Sequence, residues 1–466
     1  MQRAWHRGFT LGFALVSMWL GLSLAVSGAA AAITNTLVWN KAKDCVDADV
    51  RGWELFSLLE RIAGETGWQI FLDPEASHTA SVKFKNLPSG QALRQLLGDL
   101  NYALVPHTND APHFYVFRTS MDQATQLVGS APAKARPTVR RVPNELIVRL
   151  KPGASIEALA RLLGAKVIGR IPELDAYRLQ FEDEAATEAA RAQLAANADV
   201  LSVQDNYYVD PPPLPMEVTG VSAPPPQLKL NPPAAERCKV VVGFVDTGVQ
   251  PMGSELESIL TRYSVNGESP MSTSEPLHGT AMLSAAVQAV TAAEKNGTSL
   301  RFVSVNVFGT NRTADTFSVA TGLITAGNKG ATVINASLGG YGDSPILRDA
   351  VQQLYSHNIP VFAAVGNDAS TEQFYPAAYP QVISVTALER GKLAAYANVG
   401  TQPDVAAAGT VLFPFNGQTY VARGTSVSTA VATGLAAGLA DANCSPWSQV
   451  IPAVERNLAV PSASVP

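Results

Sequence analysis

The second half of the chain has the simplest pattern of apolar residues. Short runs that are almost entirely apolar alternate there with longer segments whose apolar residues recur at helical spacing. Runs without polar alternation are typical of strands buried on both faces, so this pattern predicts a parallel sheet covered by helices on both sides. We therefore expect one α/β domain over residues 236–460, with all strands ending at the sheet edge where such folds bind ligands. The predicted strands are Lys239–Val245, Arg301–Val307, Thr332–Leu338, Pro360–Val365 and Val382–Thr386, and the predicted helices cover 278–294, 314–328, 344–357 and 426–442.

Residues 144–209 predict a smaller domain in front of it. Leu146, Val148 and Leu150 alternate as they do in a strand with one buried face, and helical spacing follows over 156–163. The complete order is βαββαβ, the split βαβ arrangement of ferredoxin-like domains. The remaining predicted elements are strands at 165–171, 175–181 and 199–205 and a helix at 185–197.

Residues 40–118 predict a third module, which is also small and of α+β type. Its leucines recur at helical spacing in two places, around Leu58 and around Leu96. Short strands are expected at Gln69–Leu72 and Val82–Phe84. This module contains no catalytic constellation.

Two stretches have the composition of linkers and separate these modules. Residues 119–143 contain Ser-Ala-Pro-Ala-Lys-Ala-Arg-Pro and few large apolar side chains. Residues 210–235 contain three proline clusters, which favour extended chain and exclude helix or a central strand.

The first 32 residues have the features of a secretory signal. Arg3 and Arg7 precede an apolar run at 9–26, and small residues follow as far as Ala32. An uncleaved membrane anchor is the alternative, but three hydroxyl-bearing residues interrupt the run, so cleavage is favoured.

The overall composition is that of a globular protein and excludes several functional classes. Of 466 residues, 47% are hydrophobic and 16% charged, with a net charge of −5, so a nucleic-acid-binding surface is not expected. The three cysteines have no zinc-site spacing. Cys238 and Cys444 could form a disulfide in an oxidising compartment, or both could be buried thiols.

Candidate chemistry begins where the first strand of the α/β domain ends. Asp246, Thr247 and Gly248 follow the apolar run directly. An aspartic protease would need a second such carboxylate motif, and the chain has none; alone, the motif would indicate only a turn. His278 opens a helix of small residues, whereas His357, the other histidine of this domain, has the position of a helix C-terminal cap. His278 is therefore the candidate general base.

Two further polar residues stand at comparable positions. Ser426 lies at the predicted N-terminus of a helix, where backbone amides and the helix dipole favour developing negative charge. Asn367 follows the strand Pro360–Val365, so its amide could donate a hydrogen bond to an oxyanion. Taken alone, these residues would be a helix cap and a turn asparagine.

Together the four segments resemble the subtilisin-like serine peptidases. The order Asp, His, Asn, Ser is that of the family, and "NASLGG", "YPAAYPQVISVTAL" and "YANVGTQPDVAAAG" agree with it over nearly all of the domain. The resemblance implies a serine endopeptidase in which Ser426 is the nucleophile, His278 the general base, Asp246 its orienting partner and Asn367 an oxyanion donor.

The resemblance also implies where substrate binds. Ser337, Leu338 and Gly339 would pair with the substrate backbone as an added strand, and Ala364 and Gly366 would line the S1 pocket. The small residues at 363–366 suggest room for a sizeable apolar P1 side chain, the side chain that precedes the scissile bond.

The chain departs from the family pattern at two places. The proline of Gly-Thr-Ser-x-Ala-x-Pro is absent, and Ala281, Met282, Leu283 and Ser284 replace the family residues after His-Gly-Thr. Neither change removes a reacting atom, but either could alter fine positioning. No calcium loop is evident and no cofactor is expected, so calcium dependence stays open. The alternatives are a catalytically weak relative that binds peptides and an envelope adaptor protein that acts mainly through residues 40–118.

The two smaller modules resemble known families as well. Residues 144–209, from "NELIVRLKPG" to "VLSVQDNYYV", look like the propeptide of subtilisin-like enzymes, which implies an inhibitor in cis and a zymogen cut within about 206–235. Residues 40–118 resemble the short N-terminal domain of secretins and TonB-dependent receptors. That resemblance implies a protein partner in a Gram-negative envelope, with periplasm, outer membrane and medium as the candidate locations. The alternatives are a binding module unrelated to maturation and a generic folding module.

Overall fold

The structure is a computed structural model. It describes residues 35–41, 43–105, 112–124, 126–128, 139–225, 228–232, 235–267, 274–293, 296–309 and 313–461, so the predicted signal segment 1–32 lies outside the described residues. The chain divides into two compact units, the first ending at residue 133.

The described residues of the first unit form two sheets and two α-helices around one apolar core. One sheet has the strand order β1-β2-β4 and is antiparallel, and the other has the order β5-β6-β3-β7. Both helices bury their leucines at the predicted spacing. The elements are β1 (Thr36–Asn40), β2 (Cys45–Glu54), α1 (Leu55–Thr66), β3 (Gln69–Leu72), β4 (Thr79–Pro88), α2 (Ser89–Leu97), β5 (Asn101–Val105), β6 (His113–Phe117) and β7 (Gln126–Val128).

The second unit begins with a domain that has the expected βαββαβ order. Its four strands form an antiparallel sheet in the order β11-β8-β10-β9. Local sequence explains its helix ends, since Ser155 and Asp183 accept hydrogen bonds from first-turn amides and Gly164 ends α3 in the left-handed region. The elements are β8 (Arg141–Leu150), α3 (Ile156–Leu163), β9 (Lys166–Ile171), β10 (Ala176–Gln180), α4 (Glu184–Ala195) and β11 (Val200–Val209).

The remaining elements belong to the α/β domain. They are β12 (Met216–Glu217), β13 (Val241–Asp246), α5 (Ser254–Glu257), β14 (Leu260–Ser264), α6 (His278–Ala293), β15 (Arg301–Asn306), β16 (Ala314–Asp315), α7 (Thr316–Asn328), β17 (Val333–Ala336), α8 (Pro345–Ser356), β18 (Val361–Ala364), β19 (Val382–Glu389), β20 (Lys392–Leu393), β21 (Val405–Ala408), β22 (Thr410–Phe415), β23 (Gln418–Arg423), α9 (Thr425–Asn443) and α10 (Trp447–Asn457).

A parallel sheet in the order β14-β15-β13-β17-β18-β19 is the centre of this domain, with β21 parallel beside β19. The helices α6 and α9 pack on one face, and α7 and α8 pack on the other. The predicted α/β parallel-sheet fold is therefore confirmed, and the five predicted strands and four predicted helices are all present.

Several elements were not predicted. Pro414 lies within β22 and Pro452 lies inside α10, and proline is unfavourable in the interior of either kind of element. Both predicted linkers also contain secondary structure. The stretch 119–143 includes β7 and the start of β8, and the stretch 210–235 includes β12. Short edge strands of this kind need only backbone pairing, which leaves little trace in composition.

The cysteines divide into one pair and one thiol. Cys238 and Cys444 form a disulfide that joins the start of the α/β domain to the C-terminal end of α9. Cys45 is a buried free thiol in the first unit. Within the described ranges, no helix combines the length and the apolar character needed to cross a bilayer.

Candidate active site

The carboxylate of Asp246 lies at the carboxyl end of β13, a central strand of the parallel sheet. Its side chain is fully buried. The backbone amide of Thr247 donates a hydrogen bond of 2.6 Å to Asp246 Oδ1, which fixes the carboxylate on the turn that leaves the strand. Burial and this hydrogen bond leave the carboxylate little rotational freedom.

The imidazole of His278 is bound to this carboxylate. His278 is the first residue of α6, and its Nδ1 lies 2.8 Å and 3.0 Å from the two oxygens of Asp246. The helix can approach the turn this closely because residue 279 is glycine: a Cβ there would lie 2.4 Å from the carbonyl oxygen of Thr247. With Nδ1–H directed at the carboxylate, Nε2 is the ring nitrogen left to accept a proton.

Ser426 is the second residue of α9, and its side chain comes to the same edge of the sheet. Its hydroxyl donates a hydrogen bond of 3.0 Å to the carbonyl of Ser337, the residue that follows β17. The Ser337 hydroxyl in turn donates to the carbonyl of Ser426 at 2.8 Å. Among the hydrogen bonds of the described residues, none joins the Ser426 hydroxyl to His278, so the hydroxyl proton must turn away from the Ser337 carbonyl before the imidazole can accept it.

The amide side chain of Asn367 has a defined orientation. Its Oδ1 accepts hydrogen bonds from the backbone amide of Thr425 at 2.8 Å and from the Thr425 hydroxyl at 3.0 Å. Because a backbone amide can only donate, Oδ1 must face Thr425, and Nδ2 is turned the other way. Thr425 was missed in the sequence, although its place directly before Ser426 was a signal that could have identified it.

A cavity of about 230 Å³ lies beside Ser426 and Asn367. The residues predicted to bind substrate all line it; these are Ser337, Leu338, Gly339, Ala364 and Gly366. Tyr341, Asp368 and Phe374 also line it, although the sequence analysis did not identify them. No group of three or more histidine, cysteine or acidic side chains is arranged to hold a metal ion in the part of the chain that the structure describes.

Residues 210–217, which we call the strap, run along the same cavity. The part 210–213 lines it together with Ser426 and the residues after β17. Farther on, β12 pairs antiparallel with β23, with Met216 opposite Val421, and β23 leads directly into the Gly424 turn before α9. The chain that leaves the βαββαβ domain therefore passes across the candidate active site.

The βαββαβ domain is docked onto the N-termini of α7 and α8. Strand β11 pairs with β16, which extends the small sheet by one strand. The side-chain oxygen of Asn206 accepts from the Phe317 amide at 3.2 Å, and that of Gln204 accepts from the Ile346 amide at 3.0 Å. These side chains satisfy first-turn helix amides, which have no acceptor within their own helix.

A buried ion-pair cluster joins the two domains. The guanidinium of Arg178 contacts Glu145 at 2.7 Å within the small domain and Asp315 at 3.0 Å at the start of α7. Burial lowers the pKa of Arg178, but the hydrogen bond to Glu145 and the attraction of both carboxylates outweigh it, so the pKa stays above its usual value. A second pair, Arg149 with Asp349 at 2.6 Å, lies closer to solvent.

The chain is similar in sequence to known peptidases over this region. The subtilase family matches residues 238–463, and the fervidolysin N-terminal prodomain family matches residues 128–206. Subtilisin DY from Bacillus licheniformis is 31% identical over 199 residues, which cover 41% of this chain and 72% of that protein. The thermophilic serine proteinase of Bacillus sp. (strain AK1) is 31% identical over 202 residues, 40% of this chain and 49% of that protein, so the chain spans about half of this relative.

The comparison of structures agrees on the fold. A mutant of the epidermin leader peptide processing serine protease from Staphylococcus aureus superposes with a TM-score of 0.51 and 16% identity, covering 66% of this chain and 92% of that protein. The match to the subtilase family, the coverage of subtilisin DY and the preceding prodomain lead to one conclusion. The chain belongs to the subtilase family of serine endopeptidases and carries a prodomain in front of its peptidase domain.

Proposed function

We propose that Asp246, His278 and Ser426 form the catalytic triad of this peptidase and that Asn367 stabilises the oxyanion. The observation that carries this assignment is the buried pair between His278 Nδ1 and Asp246, at 2.8 Å, at the sheet edge that also holds Ser426. Such a pair selects the imidazole tautomer whose Nε2 can act as a base.

The reaction that follows uses groups with defined positions. The Ser426 hydroxyl rotates away from the Ser337 carbonyl, gives its proton to His278 Nε2 and attacks the scissile carbonyl carbon. The carbonyl oxygen becomes an oxyanion, to which Asn367 Nδ2 and the Ser426 backbone amide donate hydrogen bonds. His278 then gives the proton to the leaving amine, which departs. In the second half of the reaction, water gives a proton to His278 and attacks the acyl carbon, and Ser426 leaves with the proton that His278 returns to it.

We also propose that the chain is made as a zymogen and cut by itself within about 206–235. The strap lies along the cavity at Ser426, so the intact chain excludes substrate from it. Residues 210–213 share the lining of the cavity with Ser337, Leu338 and Gly339, the segment expected to pair with substrate, and the pairing of β12 with β23 holds the strap beyond them in extended form. The ion pairs and helix-terminal hydrogen bonds hold the prodomain in place after the cut.

Export and envelope contact complete the proposal. The signal-like residues 1–32 and the disulfide between Cys238 and Cys444 support folding in an oxidising compartment. The resemblance of residues 40–118 to secretin-type N-terminal domains supports a protein partner in a Gram-negative envelope. A polypeptide is the substrate, and the prodomain is a partner in cis.

Labelling with a fluorophosphonate tests the catalytic assignment. The full chain, after self-processing, is expected to be labelled, and Ser426→Ala is expected to lose both labelling and processing. Ser428→Ala is the matched control, because this serine lies in the same helix and its hydroxyl donates to the Ala408 carbonyl. Label that persists in Ser426→Ala, or a processed wild type that takes no label, would contradict the proposal and favour a peptide-binding relative.

A further inference from the structure

The space beside Ser426 is bounded by two short segments that leave neighbouring strands. One contains Ser337 and Gly339 after β17, and the other contains Ala364 and Gly366 at the end of β18. In sequence, the glycine and alanine residues here suggest a deep pocket. The structure shows what lies against those glycines.

The ring of Phe374 is in close contact with both walls. A Cβ added to Gly339 would lie 2.4 Å from Phe374 Cε1, and a Cβ added to Gly366 would lie 3.2 Å from Phe374 Cδ2. The first distance is shorter than real Cβ atoms allow and the second is tight. The ring therefore takes up the room beside Gly339 together with the carbonyl oxygen of Tyr375, which would lie 2.5 Å from the same Cβ. Beside Gly366 the ring shares the room with the side-chain amide of Asn398, whose Nδ2 would lie 2.3 Å from an added Cβ.

Neighbouring groups hold the ring in this position. The ring of Tyr341 meets it edge-on, with centroids 5.1 Å apart, and the Phe374 amide donates to the Thr401 hydroxyl at 3.2 Å. The Tyr341 hydroxyl donates to Asp368 at 2.7 Å and accepts from the amide of Asn398 at 3.1 Å. Displacing the Phe374 ring would disturb this hydrogen-bonded support.

The support persists over a wide pH range. Burial, with the hydrogen bond to Asp368, raises the pKa of Tyr341 to about 12. The phenol therefore keeps its proton at neutral and moderately alkaline pH, and the contact with Asp368 is retained wherever a peptidase of this kind would be assayed.

We propose that Phe374 closes the bottom of the S1 pocket and makes the enzyme select small P1 side chains, such as glycine, alanine and serine. This inference rests on the proposed peptidase function. It replaces the expectation of a sizeable apolar P1 residue. The rest of the cavity extends to Arg140 and the strap, and the backbone of a substrate must occupy that part rather than its P1 side chain. A large P1 side chain would have to displace an aromatic ring that is packed on both sides.

Peptide hydrolysis by the processed enzyme tests the selection. Chromogenic tetrapeptides that differ only at P1, with alanine, leucine or phenylalanine, are compared by kcat/KM. Wild type is expected to prefer alanine over phenylalanine by at least about tenfold, the scale on which pocket size discriminates between side chains. Phe374→Gly is expected to reverse this preference, with the gain for phenylalanine appearing mainly in KM.

Two further variants separate specificity from folding. Phe374→Leu keeps an apolar side chain in the wall of the cavity and is expected to give an intermediate ratio of the two rates. Tyr355→Ala, at an exposed tyrosine of α8 that does not line the cavity, is the control and is expected to leave the ratio unchanged.

The outcomes distinguish this inference from the proposed function. A wild type that prefers phenylalanine, or Phe374 variants that hydrolyse peptides with an unchanged P1 ratio, would overturn the role of Phe374 alone. A wild type that hydrolyses none of the peptides and takes no fluorophosphonate label would overturn the peptidase assignment, and the inference with it.

Discussion

The prodomain interface contains two ion pairs that differ in burial, and this difference sets up a controlled experiment. Arg178 and Asp315 are 18% and 10% exposed at their side chains, whereas Arg149 and Asp349 are 29% and 32% exposed. In each pair the arginine belongs to the prodomain and the aspartate to the peptidase domain. Asp315→Asn and Asp349→Asn therefore remove one carboxylate each from the same side of the interface.

The expected losses follow from burial. Asp315 also caps α7 by accepting from the Ser318 amide at 2.8 Å, and asparagine can keep that cap, so Asp315→Asn isolates the ion pair. A buried charge-assisted hydrogen bond contributes about 1.5–3 kcal/mol, which corresponds to roughly 10- to 150-fold in the docking equilibrium. The more exposed pair is expected to contribute about 0–1 kcal/mol, or less than tenfold.

Amide hydrogen exchange measures this docking directly. The Ile346 amide donates to Gln204 and the Phe317 amide donates to Asn206, so both helix termini are protected only while the prodomain is docked. The measurement uses the Ser426→Ala chain, which stays intact. The amide of Ile346, on α8, is used for Asp315→Asn, which changes the N-cap of α7. The amide of Phe317, on α7, is used for Asp349→Asn, which changes α8, so that each amide lies on the unchanged helix.

Equal losses of protection in the two variants would refute the reasoning, since burial would then not decide the strength of the pairs. The same applies if Asp315→Asn leaves the protection of Ile346 unchanged. Salt provides a second comparison, because about 1 M NaCl should abolish the effect of Asp349→Asn and largely preserve that of Asp315→Asn.

Three further predictions concern the strap, the oxyanion donor and the disulfide. Replacing Pro211–Pro213 by alanine is expected to speed self-processing by at least about tenfold, because prolines lack the N–H that substrate pairing uses. Replacing Pro224–Pro225, which do not line this cavity, is the control. The processed product is followed over time and identified by N-terminal sequencing, and equal processing rates in the two variants would contradict the prediction. Asn367→Ala is expected to lower kcat by about 100- to 1,000-fold, the loss known for the corresponding donor of a subtilisin, with fluorophosphonate labelling slowed but retained; an unchanged kcat would remove this residue from the mechanism. Changing Cys238 and Cys444 to alanine is expected to lower the free energy of unfolding of the peptidase domain by up to about 5 kcal/mol, the chain-entropy limit for a loop of 206 residues, and a denaturant midpoint equal to that of wild type would argue against it.

The strands and helices of the α/β domain could be predicted because burial on both faces leaves a strong mark on sequence. Strands β13, β15, β17 and β18 of the sheet centre are short, mostly apolar runs that are buried almost completely, and the amphipathic or small-residue helices lie between them in sequence. The hairpin β22–β23 and the short strand β12 left no such mark. They lie outside the doubly covered part of the sheet, and β12 depends on backbone pairing with a segment about 200 residues away.

The sequence by itself determined the fold class of this protein and the family to which it belongs, because apolar periodicity and the motifs around Asp246, His278 and Ser426 are local properties of the chain. Only the tertiary structure decided how segments distant in sequence fill the space at the carboxyl edge of the parallel sheet, beside Ser426. The position of Phe374 against Gly339 and Gly366, the strap along the cavity and the pairing of Cys238 with Cys444 all join residues that are remote in sequence. A glycine records in sequence that space is available, but which side chain fills that space depends on packing among elements, and packing is a property of the folded chain.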